Sequence, residues 1–366
     1  AMSRIPSAAS ACLLAALCGC AAHRLEVYEK PERRAGAHSE VLWTGGAVTP
    51  AGRVFVNYPR WSPQIPMSVG EVLPSGAVVP YPDAEWNAWS PGQPPERRFG
   101  CVQSVTADDA GFLWVLDAGN PMFRGVVPGA PKLVRVDPRR DAVLEVIPIG
   151  PEAAPEGSYL NDVRVDTGRG WAYLTESGTG SLLAVALETK IPRVVLGEHR
   201  SVKAEDTVVK VEGAELRRPD GTPLEVHADG IALDSERDVL YYQALTGRTL
   251  YRIPARCLRD ARLDERSVAE KVEAVGKTGP ADGLWFSRDG SLYLTALEEN
   301  AIKRVGPDGA VEILVRDPRL RWPDSLAEGP DGSMYVTTSQ LHLGGRRQEP
   351  YAIFRILPGR AGDVNR

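Results

Sequence analysis

Residues 226–250 read VHADGIALDSERDVLYYQALTGRTL, three apolar runs separated by two turns. Positions 230–233 are apolar, 234–238 form a charged turn, and 239–243 are rich in β-branched and aromatic residues. Thr246-Gly247 then turns the chain into 250–253. Short runs of this kind, bounded by tight turns, make an antiparallel meander. The same grammar recurs at 42–61, 101–119, 158–187, 279–305 and 321–340, giving six copies. A single meander cannot bury its apolar faces alone, so the chain is a repeat protein.

Aligned on their first turns, the copies share a polar column: Thr44, Gln103, Asn161, Asp229, Asp282 and Asp324, spaced 59, 58, 68, 53 and 42 residues apart. A four-stranded propeller blade takes roughly 40–50 residues, more with long loops. The spacing therefore predicts an all-β fold, a six-bladed β-propeller over residues 40–358. The column then opens each innermost strand and rings the central channel. A linear β-solenoid is the alternative, but its repeats are much shorter. The strand-like runs 25–28 and 351–357 are expected to share the closing blade.

Composition agrees. The 366 residues are 43% hydrophobic, ample for a core, and the 36 Gly and 30 Pro suit tight turns. The net charge is −5 and no basic run interleaves with aromatics, which argues against a nucleic-acid partner. Beyond residue 20 nothing reaches the ~18 apolar residues of a membrane span. Arg4, the apolar stretch 8–17 and the sequence Leu17-Cys18-Gly19-Cys20 read as a lipoprotein signal over 1–19, cleaved before Cys20, whose thiol is lipidated. A plain secretory signal cut near Ala21-Ala22 is the alternative. Either reading implies export, to the periplasm, an outer-membrane anchor or the medium, with membrane contact only through the lipid. A tether at 20–39 and a flexible tail at 359–366 complete the expected layout of a monomer. Cys101 and Cys257 could pair in an oxidising compartment, or stand as separate thiols.

Three irregular stretches interrupt the repeats. Residues 81–99, rich in Pro, carry Trp86 and Trp89, which either line a ligand mouth by stacking on an aromatic ligand or pin the loop to its blade. The longest insertion, 190–225, is expected on the binding face. Residues 257–271 read as one short helix.

The column carries the chemistry. Its side chains offer oxygen donors, the preference of hard cations such as Ca²⁺, and neither His nor Cys for zinc. Asn161, Asp229, Asp282 and Asp324 are the candidate metal ligands, and Gln103 a candidate ligand-binding residue. An Asp opening a strand also caps backbone N–H groups, so a structural role is open at each position. His227 lies two residues before Asp229, on the same strand face, and makes a candidate general acid or base with it. His342, beyond the last copy, is a further candidate for ligand contact. No nucleophile elbow, phosphate-binding glycine loop or CxxC pair occurs.

Several stretches, taken in order, resemble the yellow/major royal jelly protein family. They are GRVFVNYPRW at 52–61, LWVLDAG at 113–119, Lys203-Ala204-Glu205, DGIAL at 229–233 with Leu240-Tyr241-Tyr242, LYRIP at 250–254 and Leu258-Arg259-Asp260. The resemblance implies a six-bladed propeller acting on a small molecule at the channel mouth. The reaction it implies is a proton-shift isomerisation of the L-dopachrome tautomerase type. The fold is also similar to the gluconolactonase group, which implies a divalent metal held by a first-blade Glu with an Asn and an Asp. Asn161 and Asp229 match the last two, whereas the first-blade position is Thr44. A Ca²⁺-dependent lactone hydrolase and a non-catalytic module binding aromatic ligands are the alternatives.

Overall fold

The computed structural model describes residues 23–27, 38–347 and 349–358. The signal segment, Cys20 and most of the tether lie outside them. Six antiparallel sheets follow in chain order. Their innermost strands are Gly46–Val48, Val102–Ala107, Leu160–Asp166, Ala228–Asp234, Leu284–Phe286 and Pro323–Glu328. We number the blades 1 to 6 in that order. Blade 4, the stretch quoted first, continues through Val239–Ala244, Thr249–Pro254 and Glu273–Lys277, each paired to the one before. Its turns fall where the sequence placed them.

The closing blade joins the two ends of the chain. Leu25–Val27 pairs antiparallel with Tyr351–Ile356, Leu25 opposite Ile356 and Val27 opposite Phe354. His38–Ser39 pairs farther along the same strand. Packing between blades explains why the strands lack clean alternation: each blade has a neighbour on both faces. Leu113–Asp117 is buried along its whole length. Trp114, Leu116 and Leu133 of blade 2 pack with Leu160, Val163 and Leu174 of blade 3. Burying each such side chain stabilises the fold by about 1.5–3 kcal/mol.

One irregular stretch departs from expectation. The helix read over 257–271 is two short helices, Ala255–Arg259 and Glu265–Ala269. Asp264 interrupts it by accepting from the Ser267 N–H as the N-cap of the second. The 81–99 loop folds onto blade 2, with Trp86 and Trp89 7% and 3% exposed. Trp86 packs on Phe99, while Trp89 donates to the Gln93 carbonyl (3.0 Å) and lies beside the Arg60 guanidinium. Both therefore pin the loop to its blade, the second of the two roles the sequence allows them. Cys101 and Cys257 are both free and buried.

The insertion becomes a strap over blades 3 to 6. Lys203 Nζ donates to the Thr179 carbonyl (2.6 Å), and Glu205 bonds Lys277 (3.2 Å). Farther along, Lys210 N–H donates to Glu298 (3.0 Å), and Glu212 accepts from Asn300 (2.9 Å) and His342 (3.0 Å). Val209 and Val211 pack beneath it on Leu297 and Trp322.

Candidate functional site

Four of the six innermost strands begin with a break in register. The ladder skips between Val102 and Ser104, Leu160 and Val163, Ala228 and Ile231, and Pro323 and Leu326. Gln103, Asn161, Asp229 and Asp324 sit in those bulges, which re-aim side chains and recur beside active sites. The blades approach closely here. A Cβ on Gly230 would lie 2.3 Å from the Asp282 carbonyl, and one on Gly283 2.3 Å from that of Asp324. Only glycine allows that contact. Hydroxyls of the second strands lock the ring: Thr175 donates to the Asp229 carbonyl (2.5 Å) and Thr337 to that of Thr44 (2.5 Å).

The column residues are joined. Tyr159 OH donates to Gln103 Oε1 (2.8 Å), Gln103 Nε2 to Asn161 Oδ1 (3.4 Å), and Asn161 Nδ2 to Asp229 Oδ2 (2.7 Å). Asp282 is the next acid of the ring and acts on the ionisation of Asp229, and Trp322 Nε1 donates to Asp282 Oδ2 (2.7 Å). Asp229 Oδ1 is buried with no partner among the described residues. At the far end, Trp61 donates to Tyr159 OH (2.5 Å), and Phe123 stacks on Tyr159 at 4.9 Å. Phe123 is 61% exposed. Met122 and Phe123 both hold positive φ (57° and 55°), a conformation that is costly for non-glycine residues. An aromatic wall at blades 1 to 3 thus adjoins an acidic wall at blades 4 to 6.

The acids are crowded and dry. Burial, then the charges of Asp162 and Asp324, push Asp229 well above the usual carboxylate range. Burial, then Asp324 and Asp229, do the same to Asp282. Asp324 is pushed up to about 7, chiefly by burial and against the pull of the Ser325 hydroxyl, which donates to its Oδ1 (3.3 Å). Neighbouring buried carboxyls titrate as a set, each proton held more tightly than on an exposed Asp.

The sequence candidates divide. Gln103, Asn161, Asp229, Asp282 and Asp324 come together, whereas the Thr44 hydroxyl is turned to the Gln103 carbonyl (3.2 Å) and accepts from Asn57 (3.0 Å). His227 Nδ1 accepts from the Ala204 N–H (2.9 Å), holding the strap. Burial and the Lys203 charge lower its pKa, so the ring is neutral with its proton on Nε2. His342 contacts the ring indirectly, stacking on Trp322 with centroids 6.1 Å apart. Tyr159 and Trp322 were missed, although each, like His227, lies two residues before a column position. Asp162 was missed as well.

For a cation, the donors suit a hard ion in kind: Asn161 Oδ1, three aspartates and an unpartnered Asp229 oxygen. Among the described residues, however, no three His, Cys, Asp or Glu side chains meet at metal-ligand spacing.

A family model described as major royal jelly protein matches residues 101–351. The chain belongs to this family. Comparison with curated protein sequences gives no significant match. Among solved structures, the family's propeller here is similar to a gluconolactonase from Xanthomonas campestris (TM-score 0.55, 13% identity, 92% of this chain and 89% of that one). A luciferin-regenerating enzyme is similar too (0.55, 14%, 92% and 95%), as is a streptogramin B lyase (0.50, 10%, 91% and 97%). At such identities the likeness is one of fold.

Proposed function

We propose that this major royal jelly family member is an exported propeller that isomerises a small molecule at the channel mouth by moving a proton. The Asp229–Asp282 pair carries the reading: two buried, neighbouring carboxyls, both raised by burial and by the acids around them, so that one member serves as the acid and the other as the base. The ionised member takes a proton from substrate carbon, and the protonated member returns one to the conjugated oxygen or ring position. Electrons shift within the substrate, and no oxidant is needed. Trp61, Phe123 and Tyr159 receive a planar body, so a substrate of the L-dopachrome type fits both walls. Gln103 orients it between Tyr159 and Asn161.

The test is turnover of L-dopachrome against pH. Loss of the general acid–base pair in Asp229→Asn lowers kcat about 10²–10⁴-fold. Wild type showing no turnover above the variant's defeats the reading.

The unpartnered Asp229 Oδ1 favours a second reading, a metal-dependent lactone hydrolase. Asn161, Asp229, Asp282 and Asp324 would hold a Ca²⁺ or similar ion, which polarises a carbonyl. Calcium calorimetry separates the two: binding abolished by Asp229→Ala, with lactone turnover lost on chelation, supports the hydrolase.

A further inference from the structure

Strand alternation sets the channel in levels below the acid ring. One residue past the column stand Gly45, Ser104, Asp162, Gly230, Gly283 and Ser325, and three past it Ala47, Thr106, Arg164, Ala232, Trp285 and Ala327, of which Thr106, Arg164 and Trp285 line the lower mouth. Four blades contribute small residues at that lower level and two contribute large ones. Arg164 of blade 3 crosses to blade 5, donating through Nη2 to the Leu284 carbonyl (2.6 Å) and lying 5.2 Å from the centre of the Trp285 ring. Beyond this plug the channel opens into a chamber of 970 Å³ lined by all six blades, from Val48 and Thr106 to Arg164, Trp285, Phe286 and Glu328. That volume lies within the range of small-molecule pockets, roughly 300–1,000 Å³.

We propose that this second mouth is a separate binding site, taking a small carboxylate with its oxygens on Arg164 and its apolar body against Trp285 and Phe286. A guanidinium has five N–H donors in a planar fork suited to carboxylates. Arg164 donates from Nη1 to the Val163 carbonyl (2.7 Å) and from Nη2 to that of Leu284 (2.6 Å). Its Nε is buried without a hydrogen-bond partner among the described residues. Burial lowers the pKa of this cation, so an anion beside it offsets a real desolvation cost.

The surrounding acids are already engaged. Asp166 is bound by Arg169 (2.8 Å), Asp234 by Arg237 (2.8 Å) and Glu328 by Arg288 (3.2 Å). Asp289 accepts from Tyr293 OH (2.7 Å) and Asp108 from the Trp114 indole (2.8 Å). Asp162 faces Arg164 from above, and burial raises its own pKa, which weakens it as a counter-ion. Asp109 and Glu236 remain, both at the exposed lip.

The experiment is calorimetry and tryptophan fluorescence with benzoate, and with benzamide as its uncharged counterpart. Benzoate binds saturably and perturbs Trp285 emission, while benzamide binds at least about tenfold more weakly, as loss of a charge-assisted pair requires. Arg164→Gln abolishes the preference, and Asp229→Asn, in the upper ring, leaves it intact. If Arg164→Gln does not fold, Arg164→Lys decides: it keeps the charge but not the fork, and weakens benzoate about tenfold. Equal binding of the two probes, no benzoate binding, binding unchanged in the folded Arg164 variant, or loss in Asp229→Asn would each overturn the proposal. Because the two mouths are tested with different ligands and read through different deciding residues, Asp229 for turnover and Arg164 for benzoate, failure here leaves the isomerase reading standing.

Discussion

Replacing Asp324 by Asn should stabilise the protein at alkaline pH and not at acid pH. Asp324 is 5% exposed and its carboxyl is raised from 3.8 to about 7. A raised acid makes the folded state bind a proton more tightly than the unfolded one. Its contribution to stability is therefore fully present below the unfolded value and lost as pH rises through about 7. A displacement of that size corresponds to about 4 kcal/mol at full ionisation. Asparagine keeps the shape and can still take the Ser325 hydroxyl, but carries no charge. Because the ring titrates as a set, we expect the variant to gain about 2–4 kcal/mol over wild type at about pH 8, and nothing at about pH 4. Equilibrium denaturation in guanidinium chloride at the two pH values measures the difference. A variant destabilised equally at both would show that Asp324 is an ordinary strand cap, and the crowding argument would fail.

Other perturbations follow from the same contacts. His227→Ala orphans the Ala204 N–H and should cost about 1–3 kcal/mol in denaturation, because the imidazole is an acceptor for the strap. The depressed pKa of His227 also means that its contribution is present above the unfolded value and lost as pH falls through the lowered folded one; a pH series of melts on His227→Gln should show that acid-side loss removed. Trp86→Ala should destabilise the fold by about 3–5 kcal/mol while leaving ligand affinity at the channel unchanged, which titration of any channel ligand reports. Lys132→Met strips the partner from Asp117, buried at 0% exposure, and should cost about 3–5 kcal/mol by the same denaturation.

The blades could be read from the sequence because turn residues and β-rich runs repeat locally, and every copy carries the same punctuation. The column was legible for the same reason, since Asp229, Asp282 and Asp324 stand at one place in three copies. What stayed hidden depends on comparison across blades. Arg164 and Trp285 look like ordinary strand residues until Ala47, Ala232 and Ala327 are seen at their level. Asp162 matters because its neighbours in the ring of copies are Gly and Ser. Tyr159 and Trp322 were within reach, since His227 had already drawn attention to the position two before the column. Trp86 and Trp89 stayed open because composition cannot tell an aromatic residue that lines a mouth from one that anchors a loop.

The central claim is that the Asp229–Asp282 pair keeps a protonated carboxyl at neutral pH. Infrared difference spectroscopy of the carboxyl stretch at about pH 7, wild type against Asp229→Asn and Asp282→Asn, tests it directly. A protonated-carboxyl band present in wild type and lost or shifted in both variants is the predicted result. A spectrum in which every ring carboxylate is ionised in wild type would contradict the account.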